Sequence, residues 1–147
     1  MSYEEHYKME YEPIDFIGEF GLHFYTGSIF KYIARCEKFT RGDKVENVIK
    51  CYKYIEMIRE KLNQDYIVLS TFPIGISEKV LEFCNKNKMN KFQTDILYKL
   101  ALLIEDNETD GSDFSLPRLS FLRNSLWNYE KELLKYSTTQ INEVATN

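Results

Sequence analysis

Gly27, Lys31, Arg35 and Lys38 follow one another at spacings of four, four and three, the separations at which helical side chains share a face. A row of cations of this kind recognises anions, because arginine grips a phosphate through two parallel N–H bonds and lysine adds a compact charge. The glycine at its head leaves room for a ligand to approach the backbone. Ser28 adds a hydroxyl near the expected helix start, where unbonded N–H groups and the helix dipole already attract negative charge. Together these residues describe a site for a nucleotide-sized anion. The same spacing also suits a plain solvated helix face with Glu37 nearby to balance it, and spacing alone does not choose between the two.

Other chemistry-bearing residues are more scattered. No G-x-x-x-x-G-K-[ST] run is present to cradle a triphosphate. If a phosphoryl group is transferred here, Asp15 or Glu46 would have to hold Mg²⁺ against Lys31 and Arg35. Those acids, and Glu19, read equally well as ordinary surface carboxylates. His6 and His23 are the only imidazoles, and a lone loop histidine is more often a hydrogen-bonded residue than a base. Cys36, Cys51 and Cys84 form no CxxC pair and lie among apolar residues, so buried free thiols are expected and a zinc site is not. The stretch from Asp106 to Asp113 copies the opening of a calcium-binding loop, with Gly111 at its sixth place. Pro117 stands where a closing glutamate is required. An exposed acidic loop is the expectation there, and no metal site is assigned. Tyr3, Tyr7, Tyr11 and Tyr25 precede the expected helices closely enough to reach over the cationic row, while most other aromatics, Trp127 among them, are needed for a core.

These residues must be positioned by helices. Pro13 suits the first turn of a short helix and Gly21 its end. Ile29, Tyr32, Ile33 and Cys36 predict a second helix from about Thr26 to Phe39. Thr40 to Asp43 is a turn, with Asp43 as N-cap of a long third helix. Its stripe of Val45, Val48, Tyr52, Ile55 and Leu62 runs to about residue 63. Between 65 and 76 the pattern breaks into Tyr66-Ile67-Val68-Leu69, Pro73 and Gly75, an irregular connector with at most one strand-like stretch. Ser77 is placed as the cap of a fourth helix to about Asn87. Asn90 with Gln93 forms a capping box for a fifth that ends near Glu105. Leu119, Leu122, Leu126, Tyr129 and Leu133 mark a last helix to about Tyr136, with a frayed polar tail at 137–147.

The expected fold is therefore all-α, a compact bundle of five to six helices in one domain spanning 1–147. A lead-in at 1–12 precedes helical halves at 13–63 and 77–136. At 147 residues, 44% of them hydrophobic, with 10 Phe and 11 Tyr, the chain can bury one sizeable core. A net charge of −4 and a pI near 5.3 argue against gripping extended nucleic acid, so any anion site must be local. The longest apolar run is too short for a bilayer, and Met1-Ser2-Tyr3-Glu4-Glu5 lacks the basic and apolar regions of a signal peptide. A cytoplasmic location follows as the expectation.

A longer pattern joins these pieces. His6-Tyr7, Pro13-Ile14-Asp15, Gly21-Leu22, then Gly27-Ser28 through Lys31-Tyr32 to Arg35, and finally Glu46-Asn47-Val48 with Tyr54-Ile55 resemble the SaV-like family of small phage proteins. The likeness covers about residues 6–62 and follows the family pattern HY, P-x-D, GL, GN-x-x-KY-x-x-R and EDLKKAxxYL. It implies a phage-encoded protein working in the host cytoplasm, and, from members labelled nucleotide kinases, a nucleoside monophosphate kinase-like activity that would need Mg²⁺ with its nucleotide. It places Lys31, Tyr32, Arg35 and His6 at the family's motif positions, and with Gly27 and Ser28 from the spacing they make the expected ligand- and phosphate-binding set. Ser28 stands where the family has Asn, and Asn47 where it has Asp, which weakens a metal or general-base role at that point.

Two further readings stand beside that enzyme. One is a non-catalytic sponge that sequesters a nucleotide signal of host immunity, for which cations and aromatics suffice. The other is a helical adaptor that contacts a host protein. Carboxylates facing Lys31 and Arg35 would separate enzyme from sponge. The expected partner is a nucleotide or nucleotide-derived small molecule, and the apolar stripes suggest a homo-oligomer.

Overall fold

Pro13 and Gly21 bracket the first helix, as their backbone preferences require. The structure, a computed structural model, describes residues 9–64, 67–110 and 112–146, and their side chains except those of 41, 109, 110, 112–114 and 136–146. Among the described residues six helices form a compact all-α fold: α1 (Pro13–Phe20), α2 (Phe24–Ala34), α3 (Arg41–Gln64), α4 (Ile76–Lys86), α5 (Lys91–Asp110) and α6 (Ser112–Thr146). A 3₁₀ turn, Cys36–Lys38, follows α2. Gly21 closes α1 at φ 55° in the left-handed region, where its N–H reaches back to the Gly18 carbonyl.

The centre is built by α5 packed along α6, with α3 on α6 and α2 between α3 and α5. Val48, Ile55 and Leu62 of the expected α3 stripe, joined by Cys51 and Ile58 while Val45 and Tyr52 stay half-buried, share one buried cluster with Leu119, Leu122, Leu126 and Tyr129 of α6. At the other end, rings join α1, α2 and α4. Phe16 stacks on Phe30 with centroids 4.4 Å apart and planes 8° from parallel, and Phe83 meets both at 5.5 and 4.9 Å. All three cysteines are buried and free.

The connector is less irregular than its composition suggests, because its backbone is stitched to the junction between α1 and α2. Leu22 and Ser70 form an isolated antiparallel bridge. His23 N–H donates to the Leu69 carbonyl (3.0 Å), Thr71 N–H to that of Gly21 (2.9 Å) and the Thr26 hydroxyl to that of Leu69 (2.8 Å). Asn107 secures the connector from below. Its Nδ2 donates to the Ile67 carbonyl (2.9 Å), and its Oδ1 accepts the Ser115 hydroxyl (3.1 Å).

Several boundaries differ from the sequence expectation, each for a local reason. The second helix begins at Phe24 because the His23 imidazole caps it, Nδ1 accepting the Tyr25 N–H at 3.1 Å. Asp43 lies in the first turn of α3 and accepts the Thr40 hydroxyl (2.9 Å) instead of capping. Ser77 is inside α4, where its N–H is met by the Glu105 carboxylate of α5 (3.0 Å). The capping box at α5 is present: Gln93 N–H donates to Asn90 Oδ1 (2.8 Å) and Asn90 N–H to Gln93 Oε1 (3.1 Å). From Asp106 to Asp110 the acidic stretch continues α5 instead of looping out, with Asp106 paired to Arg118. The last helix carries Pro117 inside it and runs on to Thr146.

Candidate functional site

The predicted row divides where α2 ends. Gly27, Ser28, Lys31 and Arg35 line one hollow of about 370 Å³, together with Ile14 and Ile17 of α1, Leu22, His23 and Phe24. Lys38 leaves the row, because the helix stops at Ala34 and the 3₁₀ turn that follows winds at a different pitch. Lys38 lines a separate hollow of about 490 Å³ with Lys86, Asn87, Lys88 and Asn90. Glu37 sits on its wall, where burial pushes the carboxyl up but bonds from Lys44, Tyr129 and Asn90 outweigh it and hold it below the usual range. Tyr32 also turns away from the first hollow and packs against Tyr54 of α3. His6, Tyr3 and Tyr7 lie outside the described residues. Tyr11 is engaged elsewhere, packed on Phe83 with its hydroxyl bonded to Glu19.

Within the hollow the two cations behave differently. Lys31 lies on α2 with its ammonium 4.8 Å from the Tyr32 ring centroid. Arg35 is the C-cap residue, and its Nε is buried with no hydrogen-bond partner among the described residues. A buried guanidinium N–H without an acceptor costs roughly 1–3 kcal/mol, so this atom is poised to receive one. The end of α2 that carries Arg35 is fixed from α5. Gln93 Nε2 donates to the Ile33 carbonyl (2.9 Å) while its Oε1 serves the capping box.

His23, read from the sequence as an ordinary hydrogen-bonded histidine, also lines the hollow. Burial, with Lys61 in the vicinity, holds its imidazole below the ordinary histidine range. Its Nδ1 accepts the Tyr25 N–H, so in the neutral ring the proton sits on Nε2. The hollow thus has a neutral N–H donor in its wall as well as two cations. Histidine is an unusual N-cap, which is why no helix-start signal marked it.

The glycine of the row lines the hollow and also packs against α1. Gly27 is buried, and its N–H is already bonded to the His23 carbonyl (2.7 Å). A methyl group there would lie 3.4 Å from Ile17 Cγ2 and 3.7 Å from Leu22 Cβ, in ordinary contact. The bare Cα of Gly27 thus faces α1 and Leu22 with room for a methyl. Gly27→Ala is therefore expected to fold normally and gain up to about 1 kcal/mol from helix propensity. A chemical unfolding curve checks this, and a loss of stability would show that the packing leaves no room.

Carboxylates are absent from the described lining of the hollow. Asp15 and Glu46 are exposed on α1 and α3 and do not line it. Asn47, where the SaV-like pattern has an acid, is 5% exposed and turned into the body of the protein. Its Nδ2 finds no partner among the described residues. No family model matches the chain, and neither a curated protein nor a solved structure does.

Proposed function

We propose that the protein binds a nucleotide-class phosphate ester in the hollow between α1 and α2 and holds it without turning it over. The supporting observation is the composition of the wall. Arg35, Lys31 and neutral His23 offer donors to an anion, Ile14, Ile17, Leu22 and Phe24 offer apolar surface to a base or sugar, and no described lining residue is a carboxylate. Phosphoryl transfer requires groups to hold Mg²⁺ and to orient or deprotonate a nucleophile, whereas binding does not. Ile14 and Phe24, 68% and 69% exposed, stand at the rim as apolar surface for the ligand or for a second copy of the chain. In the phage setting that the SaV-like resemblance implies, such a protein would withdraw a nucleotide signal from the host's defences. No described helix is long and apolar enough to cross a membrane.

Thermal-shift titration with nucleoside monophosphates, triphosphates and cyclic nucleotides, with and without Mg²⁺, tests the reading. At least one class should raise the melting temperature in the wild type, the shift should vanish in Lys31→Ala and Arg35→Ala, and chromatography should recover the ligand unchanged. Shifts that persist in both variants would remove the hollow as the site. A new product peak that needs Mg²⁺ would put the kinase-like reading ahead instead.

A further inference from the structure

Beside the hollow lies a surface that the charge pattern of α2 does not announce. Where α2 meets α3, aromatic rings form a row: Phe24 stands edge-on to Tyr54 with centroids 5.9 Å apart, and Tyr54 lies nearly parallel to Tyr32 at 6.3 Å and 21°. Two ammonium groups share the last ring, Lys31 Nζ at 4.8 Å and Lys50 Nζ at 5.5 Å from the Tyr32 centroid. Among the described residues neither lysine is ion-paired, so two like charges are held near one ring without a salt bridge to either. Phe24 and Lys31 belong both to this row and to the hollow, which makes the two surfaces continuous.

We infer that the ligand of the hollow continues along the α2–α3 seam, and that it is a base-bearing polyanion: a nucleotide with more than one phosphoryl group, or two nucleotides joined by a phosphodiester. The inference rests on the proposed function of the hollow and sharpens its ligand class. Its warrant is length. Four residues of helix separate Lys31 from Arg35 by about 6 Å along the axis, and Lys50 stands on a neighbouring helix whose axis is roughly 8–10 Å away. Cations spread along α2 and onto a second helix can serve more than one phosphoryl group. The exposed face of Phe24 supplies a stacking platform that accepts any base, since every base has a π-face.

Lys50→Ala tests the extension because Lys50 is exposed on α3 and its removal leaves the core intact. Lys53→Ala, an exposed lysine one turn along the same helix, controls for net charge. Affinities for AMP, ATP and a linear 3′,5′-linked diadenosine dinucleotide are measured by calorimetry on wild type, both lysine variants and Arg35→Ala. Lys50→Ala should weaken ATP or the dinucleotide about tenfold and leave AMP unchanged, with Lys53→Ala near wild type. Which of the two long ligands is weakened tells polyphosphate from phosphodiester. If Arg35→Ala abolishes binding while Lys50→Ala changes nothing, or if AMP binds as tightly as both longer ligands, the extension is wrong and the hollow stands. No binding by the wild type, or no effect of Arg35→Ala, overturns both.

Discussion

Phe16→Ala is expected to be the most damaging single truncation in the chain, costing about 3–5 kcal/mol. The ring is fully buried and stacks on Phe30, with Phe20 at 4.8 Å and Phe83 at 5.5 Å around it. Those neighbours come from α1, α2 and α4, so they cannot collapse into the gap without moving three helices, and the cavity term stays large. A domain of ordinary stability holds about 5–15 kcal/mol in total. The loss should therefore lower the melting temperature by roughly 10 °C or more. Urea unfolding followed by circular dichroism measures it, with Phe24→Ala as the contrast, since that ring is 69% exposed and its loss should cost little. Equal effects of the two truncations would contradict the assignment of Phe16 to a packed centre. The consequence reaches the hollow as well, because Phe16 anchors the helix that contributes Ile14 and Ile17 to its wall. Ligand stabilisation should fall in Phe16→Ala even though the residue touches no ligand.

What could be read from the chain alone was whatever a residue fixes locally. Pro13 has its φ set by its ring, Gly21 takes a conformation that other residues avoid, and Asn90 with Gln93 satisfies two N–H groups reciprocally. Each marked a boundary that the structure keeps. Periodicity likewise identified the core faces of α3 and α6. The misplaced boundaries are those where the partner comes from far away in sequence. Glu105 caps α4 from another helix, and the Leu69 carbonyl pins His23 from a distant part of the chain. No local pattern encodes such pairings.

The candidate site shows the same division. Three residues of the cationic row, Gly27, Lys31 and Arg35, reach a common hollow because α2 and its C-cap hold them on one face. Lys38 does not, because the change to a 3₁₀ turn cannot be read from residue types that are equally at home in an α-helix. The apolar wall from α1 and the approach of Lys50 and Tyr54 of α3 to Tyr32 depend on how helices pack, which spacing within one helix says nothing about.

Gly21→Ala isolates the most demanding of these distant contacts. At φ 55° any side chain meets a left-handed penalty of about 1–2 kcal/mol. The chain bears that strain elsewhere, since Lys88 sits at φ 54°. At Gly21 a second cost is added. The new methyl carbon would lie 2.8 Å from Thr71 Cβ and 3.0 Å from its Oγ1, a distance that forces the connector to move. Thr71 cannot yield freely, because its N–H is bonded to the Gly21 carbonyl and Phe72 N–H to that of Phe20. Overpacking of this kind costs about 1–3 kcal/mol, so the total should reach about 2–5 kcal/mol. Gly75 provides the control: it has φ 77° and open space where a methyl would go, so Gly75→Ala should cost the backbone penalty alone. The difference between the two unfolding free energies then measures the contact between the α1–α2 junction and the connector. That contact also bears on function, because the residues that follow Gly21 are Leu22 and His23, both in the wall of the hollow. Gly21→Ala should weaken ligand stabilisation and Gly75→Ala should not. If the two variants lose equal stability and bind alike, the connector does not brace the hollow.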